Sequence, residues 1–213
     1  MSDPRDSVPL PGPDPVAFAA ALAEGQRFFM GEAKVQDALR ALVEHLEEAE
    51  IDYAIAGAMA LNAYGYHRFT SDVDVLLTAD GLARFKAARL GRGYLERFPG
   101  SRGLRDTTHA VDIDVLLTGD YPGDGKPKAV RFPEPSAVAE RLDVGAFLPL
   151  RVLVELKLAS GLSAPHRLKD LSDVLELIRA ASLPRELATE LDASVRDEYL
   201  RLWEAAAAAP DPG

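Results

Sequence analysis

Apolar residues recur along the chain in two periods, and the switches between them mark out the elements. Val35, Leu39, Leu42, Val43 and Leu46 fall at helical spacing and predict a helix over Lys34 to Ala49. Tyr53 to Ala56 reads as a short strand, ended by Gly57 and followed by a helix to about Tyr64. Asp72-Val73-Asp74-Val75-Leu76-Leu77-Thr78 alternates with period two and is rich in β-branched residues, the pattern of a strand. About forty residues on, Asp112-Ile113-Asp114-Val115-Leu116-Leu117-Thr118 repeats it. A helix is expected over residues 80–98 between the two. After loops of Gly and Pro around Tyr121 to Pro127, Ala129 to Phe132 reads as a further strand.

From Pro149 the pattern is helical throughout: Leu150 to Ser160, Pro165 to Ala180, and one or two helices from Pro184 to about Ala208. Pro165 and Pro184 suit first helical turns. At the other end, five prolines among residues 1–15 predict a disordered or extended tail, and Val16 to Phe29, rich in Ala, is a candidate helix. The expected organisation is this tail, a core over 16–148, and a helical region over 149–209 packed on it. Strands mixed with helices in the core, then helices alone, predict an α+β fold: a small mixed sheet backed by helices, with a C-terminal helical bundle.

Composition narrows the function classes. The chain has no cysteine, which excludes disulfides, thiolate metal sites and cysteine nucleophiles. No apolar run reaches the roughly 20 residues that span a bilayer, and the N-terminus lacks a signal-peptide pattern, so a cytoplasmic protein without membrane contact is expected. A net charge of −10 argues against a protein that simply coats nucleic acid. Arg84, Lys86, Arg89, Arg92, Arg97, Arg102 and Arg105 nevertheless fall close together, with Lys126, Lys128 and Arg131 following. They form either a local basic surface or a solvated helix face and loop.

The repeated strands carry the candidate chemistry. Residues two apart in a strand project to one face, so Asp72 and Asp74 point together while Val73, Val75 and Leu77 face the core. Asp112 and Asp114 behave likewise, opposite Val111, Ile113, Val115 and Leu117. If the strands are neighbours, four carboxylates crowd one face and raise each other's pKa unless something neutralises them. A cluster of oxygen ligands suits Mg²⁺ or Mn²⁺, and two such ions can activate a hydroxyl and stabilise leaving pyrophosphate. The alternative is a set of aspartates lining a solvated sheet face. Gly57, between strand and helix, lets the backbone approach a ligand closely, and N–H groups of a first helical turn can hold phosphate.

The stretch Gly57-Ala58, Ala60-Leu61, Gly65, Arg68, Thr70-Ser71-Asp72-Val73-Asp74-Val75-Leu76 resembles the signature of the polymerase-β-type nucleotidyltransferase superfamily. More narrowly, it is similar to small bacterial members that include abortive-infection and toxin–antitoxin nucleotidyltransferases. The resemblance covers about residues 35 to 180 and implies the nucleotidyltransferase fold. It implies that Asp72 and Asp74 bind metal, with a third carboxylate from a later strand. Asp114 fits that role better than Asp112, because Ile113-Asp114-Val115-Leu116 matches the family's apolar-Asp-apolar-apolar strand. Gly57, Ala58 and Ser71 would lie at the nucleotide; Ala58 departs from the usual Gly or Ser and leaves only backbone donors there.

Downstream, Leu156-Lys157-Leu158-Ala159-Ser160-Gly161 and Arg167-Leu168-Lys169-Asp170-Leu171-Ser172-Asp173-Val174 resemble the family's lysine helix and the helix after it. Lys157, in an apolar stretch, needs a partner: nucleotide phosphate, with Arg167 and Lys169 assisting, or else Glu155, Asp170 or Asp173. The resemblance implies Mg²⁺- or Mn²⁺-dependent transfer of a nucleoside monophosphate from a nucleoside triphosphate, ATP among them, to an acceptor hydroxyl. Asp72, Asp74, Asp114 and Lys157 would be catalytic. A toxin acting on tRNA or protein, opposed by an antitoxin, is one form of this; a binding or partner module that has lost catalysis is the alternative. His45, His67, His109 and His166 are scattered and suggest no zinc site. No G-x-S-x-G elbow, Walker loop or G-x-G-x-x-G occurs.

Overall fold

In the computed structural model, residues 33–208 are described. Expectations for residues 1–15 and Val16 to Phe29 lie outside them. The first element, α1 (residues 33–48), buries Val35, Leu39, Leu42, Val43 and Leu46 along one face, as their spacing requires. Then come β1 (Tyr53–Ile55), α2 (Gly57–Ala63), β2 (Asp72–Leu77), α3 (Ala79–Arg89), β3 (Tyr94–Glu96), β4 (Leu104–Asp106) and β5 (Val111–Leu117). After these lie a single turn α4 (Pro135–Val138), β6 (Glu140–Leu142), β7 (Gly145–Phe147), and the helices α5 (Leu150–Gly161), α6 (Leu168–Ala180) and α7 (Arg196–Ala208).

The fold is α+β, built on one mixed seven-stranded sheet in the order β3-β4-β5-β2-β1-β7-β6. β1 runs antiparallel to β2, and β2 runs parallel to β5. Val73, Val75, Ile113 and Val115 are buried, so the hydrophobic effect fixes which face of these strands turns inward. The aspartates between them must take the other face. A one-residue slip would put four carboxylates in the core, which pins the register.

Three stretches depart from the sequence pattern. The helix expected over 80–98 ends at Arg89, and Tyr94–Glu96 is strand. Gly91 and Gly93, at φ +73° and +98°, turn the chain there, a conformation a helix cannot hold. Ala129 to Phe132 is not a strand, although Phe132 exchanges two backbone hydrogen bonds with Gly119 and Asp120 beyond β5. The chain from Pro184 opens with a 3₁₀ segment, Arg185–Glu190, before α7. The short strands β4, β6 and β7 carry too few residues to show alternation.

Leu148 donates its N–H to Ile55 O at 2.9 Å, so the chain leaves the sheet beside β1 and enters α5 directly after Pro149. That exit sets α5 over the end of β1. α5 packs on α6, and α6 on α7.

Candidate active site

β2 and β5 are paired so that Asp72 stands opposite Asp112 and Asp74 opposite Asp114. The four carboxylates anticipated from the repeated strands therefore do share a face, but they are not equivalent. Asp72, Asp74 and Asp114 line one cavity of about 1040 Å³, together with Gly57, Ala58, Lys157, Arg167 and Lys169. Asp112 lies outside that lining and accepts from Arg105 of β4 at 2.9 Å. Ser71 is exposed at the start of β2, also outside the lining.

Asp74 sits deepest. Ala56 donates its N–H to Asp74 O at 2.9 Å, which seats Gly57 against the aspartate side chain. Gly57 has φ +57°, and a Cβ there would overlap the Asp74 carboxylate. Two independent demands thus select glycine: a left-handed backbone and the close approach of a carboxylate. Burial, and then the negative charges of Asp72 and Asp114, push the Asp74 carboxyl up to about 7; Lys157 and Arg68 pull it down, less strongly.

The helical half meets this carboxylate face through one buried network. Lys157 donates to Asp173 at 2.7 Å and to Asp170 at 3.1 Å. Both were among its candidate partners, and the lysine still borders the cavity. Ser160 donates to Asp170 at 2.7 Å, and Arg167 reaches Ser160 Oγ at 2.8 Å and Asp170 at 2.8 Å. Burial pushes the Asp170 carboxyl up, but Lys157, the Ser160 hydroxyl and Arg167 together outweigh it and leave the group below its ordinary range. Lys169 is exposed at the cavity edge.

Several cavity residues escaped assignment from sequence. Arg68 was within the recognised stretch but had no role; it binds Asp173 at 2.6 Å. Thr70 donates its hydroxyl to the Asp72 carboxylate. Arg97 pairs with Asp114, and Arg102 with Asp120. The basic cluster of residues 84–105 is neither one continuous surface nor a bare solvated face. Arg84 caps Ala49 O, Lys86 binds Glu96 at 2.6 Å, Arg89 pairs with Glu48, and the hairpin arginines turn to the β5 end of the sheet. Only the hairpin's proximity to β5 distinguishes these roles, and that is a tertiary fact.

The donor set on the carboxylate face, the three aspartates Asp72, Asp74 and Asp114, is of the kind hard divalent cations take. The upward push on Asp74 by its neighbours is the charge excess such a cation would relieve. As the side chains stand, no three His, Asp or Glu among the described residues converge tightly enough to hold an ion; Asp114 is engaged by Arg97 and Asp72 by Thr70.

No family model matches the chain, and no curated protein matches it. Among solved structures, it is similar to an antigenic nucleotidyltransferase-like protein from Paracoccidioides brasiliensis. The identity is 15%, covering 81% of this chain and 88% of that one, with a TM-score of 0.49. It is also similar to ANT(2″)-Ia in complex with adenylyl-2″-tobramycin, at 11% identity over 79% of this chain and 98% of that one, TM-score 0.46. JHP933 from Helicobacter pylori is similar at 13% identity over 83% and 90%, TM-score 0.37. Nothing about substrate follows from likeness at this level.

Proposed function

We propose that the chain is a metal-dependent nucleotidyltransferase, moving a nucleoside monophosphate from a nucleoside triphosphate to an acceptor hydroxyl with release of pyrophosphate. The observation that carries this reading is the β2/β5 register, which places Asp74 and Asp114 side by side in the cavity beneath Lys157, with Asp72 beside them. Asp72, Asp74 and Asp114 would hold Mg²⁺ or Mn²⁺. The bound cation would make the acceptor hydroxyl more acidic and neutralise charge on the leaving group.

The protein's own groups divide the remaining work. Asp114, across from Asp74 on the neighbouring strand, is the candidate to take the acceptor proton. The Lys157 ammonium has three donors, of which Asp170 and Asp173 take two, so one remains for a phosphate oxygen. Asp170 and Asp173 hold the ammonium in place for that contact. Gly57 and Ala58 bring backbone to the cavity without side-chain bulk, and Arg167 and Lys169 stand at its rim for the triphosphate. Ser71 is the weakest member of the nucleotide set, because it stands outside the lining. Following the resemblance to abortive-infection and toxin-type members, the acceptor is RNA or protein, and a cognate antitoxin would be the natural partner.

A second reading, a binding or partner module that has lost catalysis, is favoured by one observation: Arg97 engages the third carboxylate. Incubation with α-labelled nucleoside triphosphates, Mg²⁺ and fractions of cellular RNA, protein and small molecules separates the two. Transfer of label, lost on chelation and in Asp72→Asn, supports the enzyme. Saturable nucleotide binding with no label transferred to any fraction supports the module.

A further inference from the structure

The three arginines of the β3–β4 hairpin and its loop each neutralise one aspartate on or just beyond β5: Arg105 binds Asp112, Arg97 binds Asp114 and Arg102 binds Asp120. Of these aspartates, Asp114 is the one the proposed metal site requires. The Arg97 guanidinium does not reach it by chance of a long side chain. Arg97 donates its N–H to Gly103 O across the hairpin, at 3.2 Å, and its guanidinium lies so close over Gly103 that any Cβ there would overlap it. Gly103 is not at positive φ, and the three atoms nearest an added Cβ all belong to the Arg97 guanidinium. Phe98, next along the hairpin, is 65% exposed at the cavity.

We propose that Arg97 is a built-in, displaceable counter-cation for Asp114: it occupies the third carboxylate while the cavity is empty and yields it when a divalent cation arrives with nucleotide. This rests on the metal-dependent reading above. A guanidinium is planar and always charged, so it neutralises a carboxylate without giving up its proton to it. It also holds the excess negative charge of the face in check until the proper cation replaces it. Once displaced, the guanidinium borders the same cavity as the bound triphosphate and can turn to its oxygens. The cation therefore binds weakly alone and more strongly with nucleotide, since nucleotide gives Arg97 a second anion.

Mn²⁺ titration of the nucleotide-free protein, read by the electron paramagnetic resonance of free Mn²⁺, tests this without an activity assay. Arg97→Gln is expected to bind Mn²⁺ about tenfold or more tightly than wild type. Gly103→Ala, which keeps every charge but takes the space under the guanidinium, is expected to move in the same direction. Arg105→Gln removes the same charge from Asp112 and serves as the control for net charge, with a change under about twofold. In the presence of Mn²⁺, Arg97→Gln should bind a non-hydrolysable nucleoside triphosphate more weakly than wild type. Equal Mn²⁺ affinity in wild type and both Asp114-side variants overturns the proposal, as does an equal gain in Arg105→Gln. Saturable wild-type binding that is lost in Asp72→Asn shows the metal reading standing even where the counter-cation proposal fails; no saturable binding by any form sinks both.

Discussion

Lys157 Nζ and the Asp173 carboxylate lie 2.7 Å apart, both buried, on helices that meet over the carboxylate face of the sheet. Arg68, from the loop between α2 and β2, reaches the same aspartate at 2.6 Å. One carboxylate thus ties α6 to α5 and to the chain entering β2, the strand of Asp72 and Asp74. A buried charge of this kind stabilises only as a complete set, because each member left alone keeps its desolvation cost.

Lys157→Met tests whether the lysine does more than hold this set together. It keeps length and apolar packing while leaving Asp170 and Asp173 with one cation fewer. Loss of a partner from a buried pair costs about 3 kcal/mol, so a lowered melting temperature is expected. If the remaining donor serves phosphate, single-turnover transfer also falls by roughly 10²-fold at a temperature where the variant is folded. A lowered melting temperature with an unchanged rate would make Lys157 structural and confine the chemistry to the sheet.

Gly57→Ala should be damaging out of proportion to its size. The methyl group meets the Asp74 carboxylate, and alanine at φ +57° costs about 1 kcal/mol in backbone strain alone. We expect a melting temperature lower than wild type and loss of metal-dependent stabilisation, since Asp74 must move. Gly65→Ala is the comparison: it too has positive φ, at +88°, but no atom lies within 4 Å of the added carbon. Equal effects of the two substitutions would remove the Asp74 contact from the explanation.

The central strands were legible because their aspartates alternate with Val and Ile, a pattern with one solution when one face is buried. The same repetition announced that β2 and β5 could be neighbours, though only the structure pairs Asp74 with Asp114. The end of α3 at Arg89 was missed because Arg92, Tyr94 and Leu95 continue a helix-compatible composition; Gly91 and Gly93 were the available signal. Arg97 and Arg102 could not be assigned, as nothing local says that a hairpin will lay them against β5. Arg68 was in view within the recognised stretch, but its partner Asp173 lies 105 residues away. Long-range ion pairs leave no periodic trace in a sequence.

Asp114 and Asp112 are separated by their surroundings. Asp114 lines the cavity, whereas Asp112 faces Arg105 outside it. Asp114→Asn is expected to reduce transfer by about 10³-fold, the scale of losing a general base or metal ligand. Asp112→Asn should change the rate less than about threefold, with its effect confined to a small shift in melting temperature, because both partners of its ion pair are over a third exposed. An inactive Asp112→Asn beside an active Asp114→Asn would move the third carboxylate to Asp112.

Asp74 gives the metal-free protein a pH dependence of definite sign. Its carboxyl is raised from 3.8 to about 7 in the fold, so between those values the native state binds a proton that the unfolded chain releases. The stability this group allows is full below about pH 4 and is lost as pH rises through 7, by at most about 4 kcal/mol for the whole shift. Asp74→Asn resembles the protonated form at every pH and escapes the loss. The measurement is a series of melts in chelator from pH 5 to pH 8, wild type against Asp74→Asn. The variant should melt above wild type by a margin that widens from pH 5 to about pH 7 and then levels off. Mg²⁺ added at pH 8 should raise the wild type, by relieving the charge on the carboxylate face, and leave the variant nearly unchanged. Parallel curves in chelator would mean that Asp74 is not the raised carboxyl that burial, and then the charges of Asp72 and Asp114, make it, and the electrostatic case for a cation at this face would fall with it.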